Sequence, residues 1–155
     1  MDSSGIIRRA YNMRLVKLSK EVFGFETAEA CIAYFKYVLP WQKYRFNIVG
    51  EGSHIAPSKL NEDETVIFSY SGRIIAIAKV EEIIIENQRV VAIIFVENKV
   101  KVFDKDISLD DLETKLSRIG YSKAITNAQG WNIFEDKFEK EAIKFLINIE
   151  WEDYL

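Results

Sequence analysis

Two distant segments of the chain carry the aromatic and polar side chains that could bind a planar ligand. The first, FNIVGEGSHIAPSKL (residues 46–60), holds the only histidine in a loop of small residues, and aromatic residues precede it. The second, NAQGWNIF (residues 127–134), combines amide side chains with a tryptophan. Aromatic rings stack on a base, while amides and hydroxyls bind its hydrogen-bonding edge. The sequence therefore predicts a base-binding pocket formed by Trp41, Tyr44, Phe46, Ser53, His54, Gln129 and Trp131.

An alternative interpretation of the same residues is structural. Trp41 and Trp131 would then be core or lid tryptophans, and His54 would be an ordinary loop residue.

Basic residues are concentrated near the start of the chain. Five lysines and arginines lie between Gly5 and Lys20, without an acidic residue among them, although the whole chain has a net charge of −3. The overall charge argues against a general nucleic-acid coat, but a local basic edge can neutralise phosphates. We predict phosphate contacts from Arg8, Arg9, Arg14 and Lys43. The alternative is an ordinary solvated surface.

Residues for covalent catalysis are scarce. The single cysteine, Cys31, falls on the apolar face of a predicted helix, and neither a nucleophile elbow nor a phosphate-binding loop is present. One histidine cannot form a histidine-rich metal site. We therefore expect a protein that is not an enzyme and that has no catalytic residue, metal or cofactor.

One pattern keeps a metal-dependent nuclease open as a further hypothesis. Glu97 and Lys99 have the ExK spacing of some nucleases, and Glu82 or Glu86 would supply a second carboxylate to the metal. The alternative is a tight, solvated turn at Asn98 between two strands.

The elements that must position these residues indicate an α+β fold. Helices are predicted for FETAEACIAYFKYVL, which starts at the N-cap Thr27 and is stopped by Pro40, for SLDDLETKLSRIG, and for FEDKFEKEAIKFLINIEW. Strands are predicted for MRLVKL, YRFNIV, TVIFSY, IIAIAKVEEIIIE, VVAIIFVE and KVKVF. Apolar residues of both parities in IIAIA indicate strands covered on both faces.

These elements predict one α+β domain over residues 13–155, after a flexible leader at residues 1–12. Its centre would be a curved, mostly antiparallel sheet or open β-barrel, flanked by about three helices.

From Tyr44 to Phe145 the order of elements resembles the PUA-like superfamily, particularly its EVE-type and YTH-type branches. HIAPSKLNEDETVIFSYSGRIIAIAKV is similar to their polar loop followed by a strand, a tight turn and a second strand. AQGWNIF before a closing helix is similar to the end of such domains in some modification-dependent restriction proteins. The resemblance implies an open β-barrel that recognises nucleic acid, often through a modified base turned out of the stack.

The resemblance also implies positions for the pocket residues. Ser53 and His54 would border the pocket, Trp131 with Gln129 would cover it, and the strand leading in would begin at Tyr44 and Phe46.

We therefore expect a nucleic-acid-recognition module that binds DNA or RNA. The alternative is a protein-interaction or accessory subunit that uses the C-terminal helix and IEWEDYL as its contact. The sequence contains neither 18 consecutive apolar residues nor a secretory signal pattern, so we expect no membrane contact and a cytoplasmic location.

Overall fold

A six-stranded sheet forms the centre of the protein. The computed structural model describes residues 13–48, 62–121, 131–134, 138 and 141–146. The strands are β1 (Met13–Leu18), β2 (Arg45–Asn47), β3 (Thr65–Tyr70), β4 (Arg73–Glu86), β5 (Arg89–Ser108) and β6 (Trp131–Phe134). Their order is β2-β5-β4-β3-β1-β6, with β1 and β3 parallel and every other neighbouring pair antiparallel. Repeated register shifts bend the two long strands, so the predicted α+β fold with a curved, mostly antiparallel sheet is confirmed.

One long helix, residues 28–41, follows the short helix α1 (Lys20–Phe23). It consists of α2 (Ala28–Ala33), a π-helical segment (Tyr34–Val38) and α3 (Leu39–Trp41), joined without a break. Thr27 is the N-cap, as predicted, because its hydroxyl accepts a hydrogen bond of 3.0 Å from the Ala30 amide. We predicted that Pro40 would stop the helix. Instead the helix continues through Pro40, which lies in its last turn.

Two further helices cover the other face of the sheet. Helix α4 (Leu109–Arg118) begins at Ser108, whose hydroxyl accepts from the Asp110 amide, and residues 138 and 141–146 belong to the C-terminal helix. In the part of the chain that the structure describes, no helix is long and apolar enough to cross a membrane.

Each face of the sheet has its own core. On the long-helix side the core is aromatic: Phe68 lies 4.7 Å from Phe35 and 5.2 Å from Phe46 between ring centroids. On the other side the core is aliphatic and contains the α4 residues Leu109, Leu112 and Leu116 together with Ala142, Ile143 and Leu146. The consecutive β4 residues from Ile74 to Ala78 are all buried, which confirms that both faces are covered.

Two predicted boundaries are wrong. Strand β5 continues through Asn98, where we predicted a turn, because it bulges there and then resumes its pairing with β4. Charged residues within FVENK have the composition of a turn, but the long-range pairing on both sides keeps the chain extended. Phe134, predicted in the last helix, ends strand β6, which pairs with β1.

Candidate functional site

The long helix ends in a strained turn. The amides of Tyr44 and Lys43 donate to the carbonyls of Leu39 (2.9 Å) and Pro40 (3.0 Å), the pattern of a Schellman cap. Glycine is the usual residue at the left-handed position of this cap, yet Lys43 has φ 59° and Tyr44 has φ 65°. Left-handed backbone costs roughly 1–2 kcal/mol per L-residue. Strain of this kind is concentrated at ligand-binding sites, so the turn is a candidate site.

Tyr34 holds this turn against the body of the helix. Its hydroxyl donates a hydrogen bond of 3.2 Å to Gln42 Oε1, and its ring makes an edge contact with Phe35. Burial raises the pKa of Tyr34 to about 12, so the hydroxyl remains a donor throughout the neutral range.

Two β-bulges lie beside the turn. Val80 pairs with Phe95 and Glu82 with Ile94, which leaves Glu81 as an extra residue in β4. In β5 the four residues 96–99 stand opposite Lys79 alone, and Glu97 belongs to this larger bulge. The carbonyl of Tyr44 accepts from the Phe95 amide at 2.9 Å and so ties the turn to the bulges. Bulges redirect side chains and are common next to functional sites.

An open cleft lies between the turn and the bulges. Its volume of about 410 Å³ is within the size range of small-molecule sites. Its described lining combines apolar side chains, a tyrosine, one ammonium group and two carboxylates. The lining residues are Pro40, Lys43, Tyr44, Glu81, Ile94, Phe95 and Glu97.

An exposed aromatic surface adjoins the cleft. Trp41 lies in sequence between the lining residues Pro40 and Lys43, and 87% of its surface is exposed. Tyr37 (70% exposed) and Val38 (40% exposed) precede it by one helical turn and therefore lie on the same side of the helix. A tryptophan this exposed contributes little to the core, so the core interpretation of Trp41 is wrong.

Three of the predicted residues belong to the end of the long helix that borders the cleft, and two others are buried inside the protein. Tyr44 and Lys43 line the cleft, and Trp41, which is exposed, lies between the lining residues Pro40 and Lys43 in sequence. Phe46 is only 2% exposed, because it is the inward residue of β2 and packs in the aromatic core. Neither face of its ring is accessible to a base, so Phe46 does not belong to the predicted pocket.

The second correction concerns Arg14, which we predicted to contact a phosphate. It is 2% exposed, and its Nε lies 2.7 Å from Glu64 Oε1 in a buried ion pair. A guanidinium paired inside the protein is not available to a phosphate, so sequence position alone misassigned it.

The other predicted contacts cannot be located. Ser53, His54, Gln129, Arg8 and Arg9 lie outside the described residues. For Trp131 the structure gives the backbone position, paired with Val16 of β1, and not the side chain.

Of the two acids predicted to complete the nuclease pattern, Glu82 pairs with Ile94 directly after the bulge in β4. Glu86 pairs with Arg89 at the tip of the β4–β5 hairpin, and the carboxylate that shares the cleft with Glu97 belongs to Glu81. Within the described ranges no group of three or more metal-ligating side chains is present. The sequence did contain a signal for Glu81: two consecutive acids interrupt the apolar run IIAIAKVEEIII, which is where a strand bulges.

A second cleft, of about 370 Å³, lies at the other end of β4 and next to the start of α4. Lys17, Ser69, Ser71 and Asp110 line it, and its described lining residues include no aromatic side chain. Burial lowers the pKa of Lys17, while the nearby Glu113 acts in the opposite direction. Because it lacks a stacking surface, this cleft is the weaker candidate.

A scan of protein-family models, a search of curated proteins and a search of solved structures each found no match to the chain.

Proposed function

We propose that this chain is a non-enzymatic nucleic-acid-recognition module that stacks an unpaired base of DNA or RNA on Trp41 and seats it at the adjacent cleft. The observation that carries the proposal is the 87% exposure of Trp41 beside a cleft lined by Tyr44. Every base has a flat face, and stacking on one aromatic ring contributes roughly 1–3 kcal/mol. The resemblance to PUA-like domains supports the same function.

The backbone of the nucleic acid has cationic partners near the cleft. Lys43 and Arg45 are exposed on either side of Tyr44, and Arg45 Nε is held by Asn47 Oδ1 at 2.9 Å. Each phosphate neutralised on a single strand contributes about −0.7 to the slope of log K against log salt. Two such contacts predict a slope of about −1.4, a weak and salt-sensitive interaction.

Fluorescence anisotropy with labelled single-stranded octamers, unmodified and base-methylated, tests the proposal. Trp41→Ala should weaken binding roughly 5- to 150-fold, the equivalent of one lost stacking contact. Its thermal midpoint should stay within about 2 °C of the parent because the side chain is exposed. Tyr37→Ala is the matched control: it removes an exposed aromatic from the same side of the helix, one helical turn before the cleft-lining residues Pro40 and Lys43. Equal binding by the Trp41→Ala and parent proteins, or no binding by the parent, refutes the proposal.

A second candidate function is binding of a protein segment. The observation that favours it is the apolar patch formed by Tyr37, Val38 and Trp41, since aromatic residues are enriched at interfaces. Glu81 and Glu97 at the neighbouring cleft complement a basic residue, so the partner would be an apolar segment with a lysine or arginine.

Peptide display separates the two candidates. Selection of apolar sequences with a basic residue, bound by the parent and lost in Tyr37→Ala, would support the protein partner, whereas base stacking requires Tyr37→Ala to be neutral. The contact predicted earlier at residues 149–155 lies outside the described residues, and Ala142, Ile143 and Leu146 of the C-terminal helix face the core.

A further inference from the structure

We propose that the cleft selects bases that carry an exocyclic amino group, namely cytosine, adenine and guanine, over uracil and thymine. The inference rests on the proposed function and names its substrate class. It follows from which hydrogen-bonding groups the cleft offers to the edge of a stacked base.

The polar groups that the two strands contribute to the cleft are both carboxylates. Glu81 and Glu97 are exposed, and within the described part of the chain neither takes part in an ion pair. Each stands in a bulge, one on β4 and one on β5, on either side of the Val80–Phe95 pair. The bulges thus present two acceptors to the same volume.

A glutamate carboxylate at neutral pH offers acceptors and no donor. Cytosine, adenine and guanine present an amino donor on the Watson–Crick edge, and carboxylates are known to accept from the amino group of cytosine. Uracil and thymine lack that amino group: their one N–H lies between two carbonyl oxygens, so a carboxylate that approaches it also meets the partial negative charge of both oxygens. Sites built for a polar partner discriminate strongly against analogues that lack it.

Lys43 is the one cation among the described residues that line the cleft. Its position at the strained turn, next to Trp41, suits a phosphate of the same nucleotide or a neighbouring one, and leaves the base edge to the two glutamates. Stacking and charge therefore act on different parts of the nucleotide.

Competition anisotropy with octamers of dC, dA and dT at fixed salt measures the selection. The parent protein should prefer dC over dT by about tenfold or more, the effect of one hydrogen bond to a charged group. In the double variant Glu81→Gln/Glu97→Gln, the preference for dC over dT should fall to within about threefold. The reason is that each amide side chain offers a donor as well as an acceptor. Glu86→Gln, at the hairpin tip, is the matched control and should leave the ratio unchanged.

The outcomes distinguish this inference from the function on which it rests. If dT binds as tightly as dC, and Trp41→Ala still weakens both, selection by the glutamates is refuted while base stacking stands. An unchanged ratio in the glutamine protein also refutes it. If no octamer binds, both proposals fall. The single glutamine substitutions are measured beside the double one, so a folding defect in the latter does not decide the result.

Discussion

Replacing Lys43 by glycine should make the protein more stable, against the usual effect of glycine. The residue has φ 59°, and left-handed backbone costs an L-residue roughly 1–2 kcal/mol. Glycine avoids that cost, but it lowers the stability of the folded state by roughly 0.5–1 kcal/mol because the unfolded chain gains conformational freedom. The lysine side chain is exposed, so its removal sacrifices little packing. The net expectation is a gain centred on about 0.75 kcal/mol in the free energy of unfolding, within a range of about 0–1.5 kcal/mol.

Urea unfolding measures this change directly. With an m-value of about 2 kcal/mol/M, typical of a chain of this size, the midpoint should rise by about 0.4 M, within a range of about 0–0.75 M, without a change in m. Lys43→Ala removes the same charge but keeps a β-carbon, so its midpoint should stay near the parent value.

Ala33→Gly is the matched control. Ala33 is exposed in the same long helix with φ −62° and ψ −38°, where glycine should lower stability by about 1 kcal/mol. If Lys43→Gly lowers the midpoint together with Ala33→Gly, the left-handed turn is not strained and its use as a marker of the site is mistaken.

Three further predictions concern the core and its ionisable groups. Phe46→Ala should cost about 3–5 kcal/mol in chemical unfolding, because the ring is enclosed in the aromatic core; a cost below about 1 kcal/mol would contradict that placement. Arg14→Gln or Glu64→Gln should each cost about 3–5 kcal/mol, and an apolar replacement of both should recover part of it in a double-mutant cycle. Tyr34 has its pKa raised by burial from 10.0 to about 12, so its contribution to stability is complete below pH 10 and lost as the pH rises towards 12. Tyr34→Phe should flatten that alkaline loss.

Local signals predicted much of the fold. The N-cap at Thr27 and the leucine stripe of α4 follow from nearest-neighbour chemistry and needed no tertiary information. Burial of both faces of β4 was visible because Ile74 to Ala78 are apolar at both parities. These features depend on residues that are close in sequence.

Features that depend on distant partners were missed. Arg14 looks like a surface cation until Glu64, 50 residues away, is placed beside it. The bulge around Asn98 is a property of two strands held in register, and FVENK alone has the composition of a turn. Trp41 and Tyr44 could be named as candidate site residues from residue type, whereas the shared cleft of Glu81 and Glu97 required the pairing of β4 with β5.

The π-helical segment Tyr34–Val38 fixes the direction in which the end of the long helix points. There the Leu39 amide donates to the Tyr34 carbonyl, five residues back, and this wider turn also accommodates Pro40, which has no amide hydrogen to donate. If the same residues wound as an ordinary α-helix, with none removed, everything after this stretch would be rotated by roughly 100° about the axis. The indole would then swing to another side of the molecule while Cys31, one turn earlier, kept its neighbours. The wide turn therefore sets the direction of the indole of Trp41, the most exposed aromatic ring among the described residues.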